Sequence, residues 1–294
     1  MSSSAASSPN SPVRYFVPDP SAWPFLLTLG LFNIIWGVWS VLEQGHLGPA
    51  PIYFGVALAA AIIFIWFRGV AHESEGGKYG AQVDMSYRMG MGWFIFSEVM
   101  FFGAFFGALY YTRNMSVPWI GGEGAKGVTN FLWQGFEAAW PTNGPANMGG
   151  AFESMDAWGL PFFNTCLLLS SGVTITMAHH ALKNNKRLQC ILWMCATVAL
   201  GATFLYCQAT EYIHAYKVLN LTLGSGVYGS TFFMLTGFHG MHVTLGTLML
   251  FVITCRLIFG HFKPDSHFGF EGVAWYWHFV DVVWVGLFIF VYIL

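Results

Sequence analysis

The sequence predicts an all-α integral membrane protein with seven transmembrane helices. Of its 294 residues, 55% are hydrophobic and only 9% are charged, whereas soluble domains carry about 25% charged residues. Seven apolar segments are long enough to cross about 30 Å of hydrocarbon. Backbone polar groups in lipid must be satisfied within helices or closed barrels, and the segments lack the alternation of outer-membrane strands. We therefore predict that all seven are helices.

The predicted helices form two groups. In chain order they lie near 22–42, 52–70, 89–112, 159–181, 189–213, 227–258 and 273–293. The Ser/Ala/Pro-rich residues 1–21 predict a mobile N-terminal segment. A charged inside loop, 71–88, separates a two-helix unit, 22–70, from a five-helix unit, 89–294. The latter carries a long outside loop, 113–158, which we expect either to fold back or meet a partner, or to vary and order weakly.

The distribution of Lys and Arg predicts the orientation. With the N-terminus inside, nine basic residues lie inside and three outside, which favours a cytoplasmic N-terminus and an external C-terminus. The inside residues are Arg14, Arg68, Lys78, Arg88, Lys183, Lys186, Arg187, Arg256 and Lys263, and the outside ones are Arg113, Lys126 and Lys217. The net charge of −2 gives no basic footprint for nucleic acid.

Glu98 is the sharpest single residue because it lies near the middle of the third predicted helix, with no Lys or Arg within a turn. A carboxyl group there either finds a hydrogen-bond partner or becomes protonated. One interpretation is a carboxyl that handles protons. The other is a structural carboxyl bonded to another helix.

Several histidines and acids fall at i, i+3 on the predicted helices. Glu211 and His214 form one pair, His239 and His242 another, and both spacings place the side chains on one helix face. His179 and His180 end the fourth helix, about a membrane away from Glu211. We expect interhelical hydrogen bonds rather than a metal site. We therefore predict no metal ligand and no catalytic residue in this chain.

The last helix carries a polar stripe. Trp277, Asp281 and Trp284 fall at i, i+4 and i+7, and His278 lies one turn before Asp281. An ionisable side chain at bilayer depth costs about 2.5–3.5 kcal/mol on insertion scales. We therefore expect His278 and Asp281 to hold this helix to its neighbours. On the third helix, the spacing of Gly103 and Gly107 predicts close helix approach.

Several motifs together resemble the cytochrome c oxidase subunit III family. They are PSAWP (20–24), FIFSE (94–98), SGVTITMAHH (171–180), QATEY (208–212), GVYGSTFFMLTGFHGMHV (226–243), HFGFE (267–271) and WYWHFVDVVW (275–284). The resemblance runs from about residue 15 to the C-terminus. It implies a bacterial aa3-type complex in the inner membrane, in which subunits I and II hold heme a, heme a3 and copper.

The same resemblance implies an accessory role without a redox centre. Subunit III packs mainly beside subunit I, supports proton uptake and retains phospholipid, while cytochrome c donates electrons to the complex rather than to this chain. The implied fold is two helices and five helices separated by a V-shaped lipid cleft. Glu98 matches the family glutamate that reacts with hydrophobic carbodiimide. The residues that match the lipid-lining positions are Trp66, Arg68, Glu73, Arg88, Phe94 and Arg256.

The sequence leaves two alternative functions open. One is subunit III of a quinol oxidase, whose members typically lack the first two helices. The other is a stand-alone metal-dependent membrane enzyme built on the His and Glu pairs.

Overall fold

The computed structural model describes residues 16–17, 20–123, 129, 131–264 and 266–294. Most of the predicted mobile segment, residues 1–15, 18 and 19, lies outside the described residues, as do residues 124–128 and 130 of the predicted outside loop. Within the described residues the fold is all-helical, with one isolated bridge between Lys263 and Ser266.

Seven helices among the described residues are long and apolar enough to cross a membrane, which confirms the predicted fold class. The helices are α1 (Trp23–Leu42), α2 (Ala50–Glu75), α3 (Ala81–Tyr111), α4 (Val117–Ile120), α5 (Leu160–Lys183), α6 (Arg187–Lys217), α7 (Gly226–Phe259) and α8 (Phe268–Leu287). A π-helical turn, Thr112–Ser116, joins α3 to α4, so both belong to one span, and a second, Phe288–Ile293, extends α8.

Two predicted boundaries need correction. The inside loop predicted at 71–88 shrinks to residues 76–80, because α2 and α3 continue beyond their apolar parts. The outside loop predicted from residue 113 begins after Ile120. Asn114 there donates to the carbonyl of Tyr110, one turn back. Hydropathy identifies only the apolar part of a helix that lies in the hydrocarbon. The helix can continue into water, because its backbone hydrogen bonds are made within the helix.

The chain divides into two compact units, and the division falls inside α3, between Tyr87 and Arg88. In the first unit α1 packs closely on α2. A side chain at Gly37 would meet Ile52 at 2.6 Å, and one at Gly55 would meet Ile34 at 2.8 Å. Glycine at both positions therefore lets the two backbones approach.

In the second unit, α8 is the most enclosed span. Within its most apolar window 61% of the residues are buried, against 11% for the span that contains α3. The indole of Trp277 lies between Gly201 of α6 and Gly246 of α7, where a methyl group would approach it to 2.8 and 2.9 Å. Glycines of α6 and α7 thus make room for the indole of Trp277.

The glycines of α3 behave differently from the prediction. Among the described residues, no atom outside the helix lies within 4 Å of a methyl group built at Gly103 or Gly107. This pair therefore mediates no close contact in the described chain. The spacing alone does not say which way a glycine stripe faces.

The described end of the outside loop folds back onto the connection between α6 and α7. Asn220 donates to the carbonyls of Gly149 and Ala151 at 3.2 and 2.9 Å. The ring of Tyr228, at the start of α7, stacks on Phe152 with centroids 5.4 Å apart. This part of the loop is held by the chain's own residues.

Candidate functional site

Both tryptophans of the predicted stripe on α8 are fully buried and bonded to α5. Trp277 donates its indole N–H to the hydroxyl of Ser171 at 2.8 Å, and Trp284 donates to that of Thr165 at 2.9 Å. Each hydroxyl in turn donates to a carbonyl one turn back on α5. Every N–H and O–H donor in these two series of hydrogen bonds has an acceptor. Burying these polar groups therefore costs little free energy.

Asp281 and His278 face the same helix. The carboxylate of Asp281 lies directly against Gly172 of α5, where a Cβ atom would collide with it. His278 lies 3.7 Å from Asp281 through Nδ1 and 3.4 Å from the hydroxyl of Thr176 through Nε2. Both residues therefore contribute to the junction between α5 and α8.

Glu98 is paired with His242, 144 positions further along the chain. Its carboxylate oxygen Oε2 lies 3.0 Å from Nε2 of His242 on α7. The side chains are 21% and 7% exposed, respectively. The edge of Phe102 packs against the imidazole, and Tyr276 of α8 donates to the backbone carbonyl of His242 at 3.3 Å. Thus α3, α7 and α8 meet at this pair.

The hydrogen bonds of His242 determine where its protons lie. Nδ1 is 2.6 Å from the carbonyl oxygen of Phe238, and a carbonyl can only accept, so Nδ1 carries a proton. The contact with Glu98 then holds one further proton, either on the carboxyl or on Nε2. In both arrangements the pair is neutral overall, which suits its place within a membrane span.

The other predicted pairs do not converge on a common point. Glu211 is almost fully buried and accepts a hydrogen bond of 2.6 Å from the hydroxyl of Tyr292. His239 donates through Nε2 to the carbonyl of Val280 at 3.2 Å. His214 and His180 are exposed.

A further cluster joins the end of α5 to the start of α8. Nε2 of His179 lies 3.2 Å from Nε2 of His267 and 3.4 Å from Oε1 of Glu271. The distance from His267 Nε2 to the same oxygen is 3.2 Å. The guanidinium of Arg88 on α3 pairs with Oε2, the other carboxylate oxygen.

Sequence reasoning singled out His179 and Arg88 but missed His267 and Glu271 as site residues. Their i, i+4 spacing was the available signal, although both residues lie before the helix predicted from residue 273, and α8 in fact begins at Phe268. The meeting with His179 was not visible, because that residue precedes His267 by 88 positions.

The comparisons with known proteins cover nearly the whole chain. The family model described as cytochrome c oxidase subunit III matches residues 13–126 and 129–294. The chain belongs to the cytochrome c oxidase subunit III family. Curated relatives named cytochrome c oxidase subunit 3 include those of Marchantia polymorpha, 40% identical over 280 residues, and Arabidopsis thaliana, 38% over 279. The protein of Papio hamadryas is 38% identical over 279 residues. The aligned stretch covers 95% of this chain in each case, and 95–96% of each relative.

Membership in the subunit III family places the chain in an oxidoreductase complex with other oxidase subunits. The subunit itself is an accessory one, and subunit III lacks the redox centres of the complex. The seven apolar helices make it a multi-pass membrane protein.

In the first unit, the residues predicted to line a lipid site lie at the end of α2. Arg68 is exposed, and Trp66 is half-buried. Glu73 accepts a hydrogen bond of 2.8 Å from the hydroxyl of Tyr79. Burial raises the pKa of Tyr79, and its contacts with Tyr87 and Glu73 raise it further. Tyr79 therefore remains a donor to Glu73 throughout the physiological pH range.

In the second unit, the residues predicted to line a lipid site have protein contacts of their own. The guanidinium of Arg256 lies over the ring of Phe262, 4.7 Å from its centroid. Phe94 is 45% exposed and stacks on Tyr276 at 6.3 Å. Arg88 contacts Glu271 and the ring of Phe268. The two arginines are thus partly engaged, whereas much of the Phe94 ring is open to the surroundings.

Proposed function

We propose that the chain is the accessory subunit of an aa3-type cytochrome c oxidase, which reduces O₂ to water and pumps protons with cytochrome c as donor. It would pack mainly beside subunit I, near subunit II, and support proton uptake, lipid retention and the stability of subunit I. The observation that carries this proposal is that the predicted intramembrane carboxyls and imidazoles contact other helices of the same chain. Glu98 with His242 and Glu211 with Tyr292 are the clearest cases.

Proton support would centre on Glu98. Its pair with His242 holds one exchangeable proton in a mostly enclosed position. Because Nε2 of His242 can also accept from an amide N–H, Glu98→Gln keeps a hydrogen bond there. We expect an assembled complex whose maximal turnover changes only modestly. Complete loss of oxygen reduction in an assembled Glu98→Gln complex would contradict this role.

A second variant, Glu98→Leu, distinguishes loss of the hydrogen bond to His242 from loss of the exchangeable proton alone. Glu98→Leu removes the partner of His242 and leaves Nε2 of a buried imidazole unsatisfied. This should destabilise the second unit by about 1–3 kcal/mol. Thermal release of the subunit from the complex measures the difference, with Glu98→Gln as the control.

Lipid retention would involve arginines of both units. Arg68 and Arg256 match the family's lipid positions, and a guanidinium binds phosphate strongly. We expect the double variant Arg68→Ala, Arg256→Ala to lose bound phospholipid and to inactivate sooner during turnover. Lys78→Ala is the control, because Lys78 is an exposed cation outside these positions. Unchanged lipid content and lifetime in the double variant would refute the assignment.

A quinol oxidase of the same superfamily is the nearest alternative. Such subunits typically lack the first two helices, so the presence of α1 and α2 favours the cytochrome c enzyme. Purified complex should oxidise reduced cytochrome c and not a quinol. Quinol oxidation without cytochrome c activity would favour the alternative.

A stand-alone metal enzyme built on the predicted pairs has less support. The one three-residue group of convergent ligand atoms among the described residues contains none of Glu211, His214, His239 or His242. Elemental analysis of the isolated chain tests the point. Stoichiometric iron or copper in it would overturn the accessory role.

We place the chain in the bacterial inner membrane, with a cytoplasmic N-terminus and a periplasmic C-terminus. The nine-to-three distribution of Lys and Arg supports the orientation. The relatives from plants and a primate make the mitochondrial membrane the competing location. Cell fractionation decides the membrane, and protease access to tags at each terminus decides the orientation.

A further inference from the structure

The cluster at the junction of α5 and α8 has the composition of a metal site. Two imidazole nitrogens and one carboxylate oxygen, from His179, His267 and Glu271, lie within 4.8 Å of one another. Two histidines and one glutamate form a familiar ligand set for zinc. The pairs Glu98–His242, Glu211–Tyr292 and His278–Asp281 use none of these three residues.

The three distances fit one cation. Zinc bonds of about 2.0–2.2 Å in tetrahedral geometry place any two ligand atoms about 3.3–3.6 Å apart. The three separations here are 3.2, 3.4 and 3.2 Å, a nearly equilateral triangle. A cation above this triangle would contact all three atoms with small adjustments of the side chains.

The chemistry of the three ligand atoms also suits a cation. A neutral imidazole with its proton on Nδ1 presents a lone pair at Nε2, and a carboxylate oxygen presents another. With both imidazoles in that tautomer, three lone pairs lie 3.2–3.4 Å apart. A single proton can bridge only two of these atoms at a time, whereas a divalent cation binds all three.

The surroundings orient the ligands and leave a way in. Arg88 holds Oε2 of Glu271, which turns Oε1 towards the two imidazoles. Such outer contacts commonly fix the geometry of metal ligands. The side chains of His267 and Glu271 are only 8% and 10% exposed, while that of His179 is 24% exposed. An ion can therefore enter past His179 and be enclosed on the other sides.

We propose that His179, His267 and Glu271 bind one redox-inert divalent cation of the Zn²⁺ class, which joins the last turn of α5 to the first turn of α8. The fourth position is left for water. The site departs from the sequence-based prediction of no metal ligand, gives the accessory subunit a structural cation, and assigns it no redox role.

Zinc binding to the assembled complex tests the proposal. Complex washed with EDTA is titrated with Zn²⁺, and bound zinc is measured per complex by elemental analysis. We expect the unmodified complex to retain one more zinc than His179→Asn or His267→Asn, whose apparent affinity should fall at least about tenfold. His180→Asn is the matched control, because His180 is the exposed neighbour of His179 outside the cluster.

Two further measurements keep the test decisive if one variant fails to assemble. Anomalous scattering at the zinc edge should place the ion within bonding distance of all three ligand atoms in the unmodified complex. Zinc should also raise the temperature at which the subunit leaves the complex, and His179→Asn should abolish that shift. Equal zinc content in all assembled complexes, or no anomalous peak at the cluster, would overturn the proposal.

Discussion

Trp277 lies between two glycines, and a single methyl group at Gly246 should disturb the second unit. A Cβ atom there would lie 2.9 Å from Cε3 and 3.0 Å from Cζ3 of the indole, and 3.2 Å from a ring carbon of Tyr276. Both rings are rigid and buried, so they cannot yield as a flexible side chain would. Overpacking of this kind costs about 1–3 kcal/mol.

A control on the same helix isolates that cost. Exchanging a helical Gly for Ala gains about 1 kcal/mol of helix propensity, which partly offsets the collision in Gly246→Ala. A methyl group at Gly240, also on α7, meets no atom of the described residues within 4 Å. The difference between the two variants therefore approximates the overpacking cost alone.

Thermal unfolding of the chain in detergent, followed by near-ultraviolet circular dichroism, measures this difference. At about 2–4 °C per kcal/mol for a unit of this size, Gly246→Ala should melt several degrees below Gly240→Ala. In a Trp277→Phe background, Gly246→Ala should cost less than in the parent chain, because the smaller ring makes room for the methyl group. Equal melting temperatures for the two alanine variants would refute the packing argument.

Two other contacts in the second unit lead to predictions. Arg187→Gln should lower stability by about 0.5–1.5 kcal/mol, because Arg187 donates to two carbonyls at the C-terminal end of α7. Chemical denaturation checks this against Lys186→Gln, whose side chain is likewise exposed. Tyr292→Phe should cost about 1–3 kcal/mol by removing the hydrogen-bond donor to buried Glu211. Adding Glu211→Leu should reduce that loss, since no buried carboxyl then remains. A Tyr292→Phe chain as stable as the parent would contradict this account.

Much of the polar stripe on α8 was predictable from spacing. Trp277, Asp281 and Trp284 were expected on one helix face, and all three meet α5. Periodicity places side chains on a face because the helix repeat is local. It does not say that Ser171 and Thr165 accept the two indoles, since that depends on the height and rotation of a helix far away in sequence.

The cluster of His179, His267 and Glu271 shows where sequence reasoning stopped. The spacing of His267 and Glu271 can be read from the sequence. The rotation of α5 that brings His179 to them cannot. Likewise, a glycine stripe at Gly103 and Gly107 predicted a contact that the described chain does not make. In both cases the missing information was which helix faces which.

The sequence by itself determined the membrane environment, the seven spans and the resemblance to a family, because hydropathy and motifs are properties of neighbouring residues. Only the tertiary structure decided which polar groups meet. Glu98 contacts His242, which lies 144 positions further along the chain, and Glu271 contacts both His179 and Arg88. In a membrane, where hydrophobicity does not distinguish lipid from protein, such pairings follow from close packing and hydrogen bonding between whole helices.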